Sequence, residues 1–156
     1  MGKIFGSCKK VGKNLMRTIL ITGLSGSGKT TLAEILASSI NAELLTDTIV
    51  RKKQNNNDFS PAGRQKSFEQ MKKMSENLVA NNKVVILENQ FLKRDDRQKL
   101  NPDYVIWMDT QNIETDIFEE PKKYDYKITE KNSQMHSILI KQDLEKKFPE
   151  IVGERI

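Results

Sequence analysis

The feature that most constrains this chain is the stretch GLSGSGKT at residues 23–30, which matches the pattern G-x-x-x-x-G-K-[ST]. A compact β-branched run, TILIT at 18–22, comes directly before it, and Leu32, Leu36 and Ile40 recur after it at helical spacing. A buried strand, a glycine-rich turn and a helix are therefore predicted in that order. Glycines let backbone N–H groups converge on an anion, and the positive end of the helix dipole points to the same place.

The lysine and threonine that end this motif indicate which ligands it binds. Lys29 is expected to reach the β- and γ-phosphates of a nucleotide and to act as a catalytic cation, and the Thr30 hydroxyl is expected to bind Mg²⁺. Glu88 follows four apolar residues, which is the pattern of a second, metal-assisting carboxylate. ATP and Mg²⁺ are the predicted cofactors, with Thr30 and Glu88 as the metal residues. The predicted nucleotide-binding residues are Gly23, Leu24, Ser25, Gly26, Ser27, Gly28, Lys29, Thr30 and Thr31.

Strands and helices alternate along the whole chain. Strands are predicted at 18–22, 42–46, 83–88, 103–109 and 124–129, and helices at 29–39, 61–81 and 134–148. Such alternation indicates βαβ units with right-handed crossovers. The predicted fold class is α/β: a three-layer P-loop NTPase fold, whose parallel five-stranded sheet carries helices on both faces.

The positive charge of the chain is concentrated at its beginning. The net charge is +5, but residues 1–17 hold five basic residues and no acid, so the remainder is balanced. We interpret residues 1–16 as a basic, disordered leader and 17–150 as the domain that carries the P-loop. A lipid anchor at Gly2 is disfavoured because Gly6 stands where that pattern needs Ser or Thr. The neutral body disfavours a nucleic-acid partner.

The composition also indicates the cellular compartment in which the protein is expected. No apolar run approaches the roughly 20 residues that a membrane-spanning helix needs. The single cysteine, Cys8, cannot form an internal disulfide, which fits a reducing compartment. A cytoplasmic protein with no membrane partner is therefore expected.

Acidic and basic side chains are predicted to gather where the strands end, as ligands of open α/β sheets do. Asp47, Glu88 and Asp109 end the second, third and fourth predicted strands, although a carboxylate there can also simply cap a sheet. Phosphoryl transfer requires cations to neutralise the transferred charge. The candidate cations are Arg51, Arg64, Lys93, Arg94 and Arg97, any of which could instead be a solvated surface charge.

Five fragments in the same order resemble the adenylylsulfate (APS) kinases. ITGLSGSGKTTLAEIL resembles the glycine-rich loop of that family, LTDTIVR at 45–51 is similar to its L-D-G-D-x-[VL]-R, and FSPAGR at 59–64 is similar to F-S-x-x-D-R. RDDR at 94–97 fits R-x-D-R, and FEEPKKYD at 118–125 resembles [YF]-E-x-P-x-x-P-[DE]. The resemblance covers roughly residues 17 to 145, with the glycine-rich loop as its most specific part.

This resemblance implies a kinase that transfers the γ-phosphoryl group of MgATP to a small-molecule hydroxyl, with adenylylsulfate as the leading acceptor. It implies that Arg51, Arg64 and Phe118 bind the acceptor and that Phe118 stacks on its adenine. It also implies that Asp47 is the catalytic base.

The chain departs from the family pattern at several positions. Thr46 and Thr48 replace the two aspartates of D-G-D, and Gly63 replaces the aspartate of F-S-x-x-D-R. Only the eight residues 110–117, none of them Lys or Arg, stand where the family has a long basic lid. A kinase of another metabolite or of a polynucleotide end, and a catalytically weak ATP-binding regulatory protein, are therefore open alternatives. A homodimer is open as well.

Overall fold

The computed structural model describes residues 17–90, 93–111 and 117–149, so the predicted leader lies outside the described residues. Strands and helices alternate as the sequence predicts. In chain order the elements are β1 Thr18–Gly23, α1 Lys29–Ile40, β2 Glu43–Thr46, α2 Asp47–Gln54, α3 Pro61–Ala80, β3 Val85–Glu88, α4 Arg94–Lys99, β4 Tyr104–Met108, β5 Tyr126–Ile128 and α5 Ser133–Lys147.

The five strands form one parallel sheet in the order β2-β3-β1-β4-β5, with β1 at its centre. Leu20 of β1 lies opposite Leu87 of β3 on one side and Val105 of β4 on the other. All strands run the same way, so their carboxyl ends meet at one edge. The predicted α/β fold, with a five-stranded parallel sheet and helices on both faces, is confirmed.

Two hydrophobic cores fill the spaces between the sheet and the helices. Alternate residues of β1 point to opposite faces of the sheet. On one face, Ile19 and Ile21 pack with residues of α1 and α5, and on the other, Leu20 packs with residues of α2 and α3. Trp107 of β4 is buried, with 6% of its surface exposed. Every residue of β1 is buried, as a strand covered on both faces requires.

Two short helices were not predicted, because neither has an apolar face with helical periodicity. Only Val50 and Arg51 are buried in α2, and only Arg97 is buried in α4. Asp47 lies directly after the second strand, where the predicted span 42–46 places it, but it is the first residue of an unpredicted helix, α2. That strand ends at Thr46, whose side-chain oxygen accepts a hydrogen bond from the Ile49 N–H and caps α2 at its first turn.

In the part of the chain described here, no helix is long and apolar enough to cross a membrane.

Candidate nucleotide site and adjoining cavity

The glycine-rich loop lies at the carboxyl edge of the sheet, between the end of β1 and the start of α1. At Gly23 a side chain is excluded, because a Cβ atom would lie 2.4 Å from the carbonyl oxygen of Met108 in the neighbouring strand β4. Gly28 is the N-cap of α1 and has φ of +98°, a left-handed conformation that favours glycine. The two glycines therefore let the chain turn sharply and present the first N–H groups of the helix at the sheet edge.

Lys29 and Ser27 are the buried polar residues of the loop. The Lys29 ammonium, 7% of whose residue is exposed, donates a hydrogen bond to the carbonyl oxygen of Leu24 at 2.8 Å. Burial lowers the pKa of Lys29, and the charge of Glu88 opposes that shift. The Ser27 hydroxyl is fully buried and has no hydrogen-bond partner among the described residues. Buried polar groups of this kind favour a bound anion.

Thr30 and Glu88 bring oxygen ligands together beside this loop. The Thr30 hydroxyl donates to a Glu88 carboxylate oxygen at 3.1 Å, and Glu88 is the last residue of β3, as predicted. Burial raises the pKa of Glu88, while Lys29 and the Thr30 hydrogen bond act in the opposite direction. One hydroxyl and one carboxylate fit Mg²⁺ that arrives with nucleotide phosphates, because Mg²⁺ retains several other ligands. The described residues contain no cluster of three or more His, Cys, Asp or Glu that could hold a metal alone.

Two residues after β4 support the loop from outside, and sequence reasoning missed them. The Thr110 hydroxyl donates to the carbonyl oxygen of Ser27 at 2.8 Å, and the Gln111 amide donates to that of Ser25 at 3.0 Å. These bonds tie two loop carbonyls to the segment after β4, and within the loop the Ser27 N–H donates to the carbonyl oxygen of Leu24 at 3.2 Å. The first two residues of segment 110–117, which stands where the APS kinases have a lid, therefore bind the glycine-rich loop.

A cavity of about 400 Å³ adjoins the loop, and a second one of about 420 Å³ lies next to it. Asn89 and Gln90, which follow β3, line both cavities. The first cavity is lined by Ser25, Gly26, Gly28, Lys29, Thr30, Thr31, Glu88, Asn89, Gln90 and Lys131. Predicted acceptor-binding residues Arg51 and Arg64 line the second cavity, together with Asp47.

In the second cavity, Asp47 and Arg51 are held by hydrogen bonds to each other and to neighbouring residues. One Asp47 oxygen accepts from the Ser67 hydroxyl at 2.7 Å, and the other accepts from Nε of Arg51 at 2.9 Å. Nη1 of Arg51 donates to the carbonyl oxygen of Asp58 at 2.8 Å, and its guanidinium lies 4.1 Å from the centre of the Phe59 ring. Phe59 is 64% exposed, so this ring presents an open aromatic face beside a fixed guanidinium.

Gly63 makes this arrangement sterically feasible. A Cβ atom at Gly63 would lie 2.0 Å from the carbonyl oxygen of Asp58, the oxygen that Arg51 also binds. The amide of Asn56 donates to the carbonyl oxygen of Gly63 at 2.9 Å, which fastens the same loop to α3. The loop can therefore approach the helix only because residue 63 has no side chain.

Other predicted site residues lie elsewhere. Phe118 is 7% exposed, lies 5.1 Å from the Arg97 guanidinium and is not among the described residues lining the second cavity. Arg94 and Arg97 donate hydrogen bonds to the backbone of the segment after Phe118, and burial lowers the pKa of Arg97. Asp109 follows β4 and pairs with Lys127 at 3.7 Å. Of the predicted cations, Arg51, Arg64 and Lys93 line the second cavity.

The parallel sheet, the glycine-rich loop and the paired threonine and glutamate define a protein with the P-loop NTPase fold. The family described as an AAA domain matches residues 19–101, just over half of the chain. The chain belongs to that family.

Solved kinases share the fold. The Mycobacterium tuberculosis APS kinase in complex with AMPPNP and APS is 18% identical, with a TM-score of 0.72 over 84% of this chain and 98% of that one. A sugar kinase from Janibacter sp. HTCC2649 is 18% identical, with a TM-score of 0.62 over 87% and 95%. Shikimate kinase from Aquifex aeolicus is 19% identical, with a TM-score of 0.62 over 82% and 96%.

No curated protein matches the sequence. At these identities, the likeness to the solved structures concerns the fold, which kinases with different acceptors share.

Proposed function

We propose that this protein transfers the γ-phosphoryl group of MgATP to a hydroxyl group of a small anionic molecule. The observation that carries the proposal is the pair of adjoining cavities that share Asn89 and Gln90. A nucleotide held by the glycine-rich loop would direct its terminal phosphate toward this shared wall. An acceptor in the second cavity would meet it there, and such positioning is the main requirement of phosphoryl transfer.

On the donor side, the loop from Gly23 to Thr31 would hold the phosphates through its backbone N–H groups. Lys29 would exchange its hydrogen bond to the Leu24 carbonyl for one to a phosphate oxygen, a stronger charge-assisted bond. Thr30 and Glu88 would hold Mg²⁺, which, when bound, neutralises charge on the phosphates.

On the acceptor side, the second cavity favours an anion with a flat apolar part. Its basic lining residues, Arg51, Arg64 and Lys93, outnumber its acidic ones, Asp47 and Asp96. Phe59 supplies an exposed ring for stacking. Adenylylsulfate combines a planar base with anionic groups and is therefore our leading acceptor. Phe59 is a better candidate than Phe118 for the stacking residue, because Phe118 is buried.

Asp47 is our candidate for the catalytic base. In the proposed step, the acceptor oxygen bonds to the γ-phosphorus while the bond from that phosphorus to the β–γ bridging oxygen breaks, releasing ADP. The hydroxyl proton passes to a carboxylate oxygen of Asp47. That carboxylate already accepts two hydrogen bonds, but it has about four lone-pair sites and retains room for a third donor.

The test is transfer of labelled γ-phosphate from MgATP to adenylylsulfate, shikimate and a small panel of sugars. Lys29→Ala is expected to abolish transfer, and Asp47→Asn to slow it by about 100-fold or more. Lys83→Ala is the matched control, because Lys83 is exposed and precedes β3 at the opposite edge of the sheet.

Undiminished transfer by Lys29→Ala would contradict the donor site, and undiminished transfer by Asp47→Asn would contradict the proposed base. MgATP binding without transfer to any acceptor would favour the regulatory alternative instead. The absence of Lys and Arg from residues 110–117 favours that alternative, because a basic lid contributes transition-state cations.

A further inference from the structure

The nucleotide cavity contains a lysine that no motif predicts. Lys131 lies in the short loop between β5 and α5 and lines the cavity with the glycine-rich loop. We propose that Lys131 binds the phosphate chain of the nucleotide as a second cation beside Lys29. This proposal rests on the proposed function, because it assumes a nucleotide in that cavity.

Lys131 lies beside the glycine-rich loop. Its Cγ and Cδ atoms lie 3.8 and 3.9 Å from the place where a Cβ atom of Gly28 would stand, so its aliphatic stem is within packing distance of that glycine. Gly28 is the N-cap of α1. The stem therefore runs beside the helix end whose first N–H groups can bind an anion.

The ammonium group of Lys131 is available to a ligand. It is exposed and makes no hydrogen bond or ion pair with any residue of the described part of the chain. Lys127, four residues earlier in the chain, differs in this respect, because it pairs with Asp109 at 3.7 Å. Binding an anion would thus cost Lys131 no existing partner.

The charges around the cavity make a second cation useful. Among the described lining residues, Lys29 and Lys131 are basic and Glu88 is acidic. Residues 110–117, where the resemblance places a basic lid, contain no Lys or Arg. A nucleoside triphosphate with its Mg²⁺ still carries a net negative charge. Lys131, which lies on a separate loop from Lys29, would offset part of that charge.

The test measures MgATP binding by calorimetry at several salt concentrations for the wild type, Lys131→Met and Lys131→Arg. Lys146→Met is the matched control, because Lys146 is an exposed lysine about 20 Å away along α5. We expect Lys131→Met to weaken MgATP binding by about tenfold, the low end for a hydrogen bond to a charged group. We also expect its binding to depend less on salt, and Lys131→Arg to restore most of the affinity.

Several results would overturn the inference. Unchanged affinity in Lys131→Met would do so, as would an affinity loss with unchanged salt dependence and a lower stability of the ligand-free protein, which indicates a structural role. An equal loss in Lys146→Met would mean that lysines act only through the net charge. If the wild type binds no MgATP, the proposed function fails first and this inference fails with it.

Discussion

Replacement of Gly63 by alanine distinguishes two opposite expectations. Gly63 lies in the first turn of α3, and in an ordinary helix interior Gly→Ala stabilises by about 1 kcal/mol. Here the new Cβ atom would stand 2.0 Å from the carbonyl oxygen of Asp58 and 2.5 Å from its Cβ atom. The backbone loop before α3 must therefore move.

The size of the effect follows from the hydrogen bonds that this movement breaks. The bond from Nη1 of Arg51 to the Asp58 carbonyl involves a charged donor and contributes about 2 kcal/mol. The bond from the Asn56 amide to the Gly63 carbonyl contributes about 1 kcal/mol. After subtraction of the gain in helix propensity of about 1 kcal/mol, Gly63→Ala should lower the free energy of unfolding by about 2 kcal/mol.

Urea unfolding, followed by the fluorescence of the single, buried Trp107, measures this change. The control is Ala62→Gly, an exposed neighbour, which tests helix propensity at this turn without the contact. Gly63→Ala should also weaken acceptor binding, because Arg51 and Phe59 lose their support. A variant as stable as the wild type, or more stable, would refute this reasoning.

Three further substitutions test single interactions. Burial raises the pKa of Glu88, so the folded ligand-free protein binds that proton more tightly than the unfolded chain. The free energy of unfolding of the protein should therefore fall as the pH rises from about 4.5, the usual pKa of a glutamate, through the raised pKa of Glu88. In urea titrations, Glu88→Gln should remove this pH dependence. Tyr104→Phe removes a 2.6 Å hydrogen bond to Asp143 and should cost about 1 kcal/mol by thermal unfolding. Thr46→Ala removes the cap that accepts from the Ile49 N–H, and an equal cost of about 1 kcal/mol is expected by the same method.

The sequence alone predicted the parallel sheet and the position of the glycine-rich loop between a strand and a helix. The glycine-rich loop must lie between a strand and a helix to work, and its residues are contiguous, so local chemistry specifies its conformation. The alternation of strands and helices then requires parallel pairing, which brings Glu88 to the same edge as Thr30, although the two are 58 positions apart.

Only the tertiary structure decided how the remaining residues are used. The polar helices α2 and α4 have no apolar residues at helical spacing, so the hydrophobic pattern of the sequence could not predict them. The hydrogen-bond partners of Asp47 come from α2 and α3, which the sequence did not show to be in contact. Thr110 and Gln111, which bind carbonyl groups of the glycine-rich loop, come from a distant segment, and so does Lys131, which lines the same cavity. A side chain's contacts across such separations depend on the packing of whole elements, and spacing along the chain does not encode them.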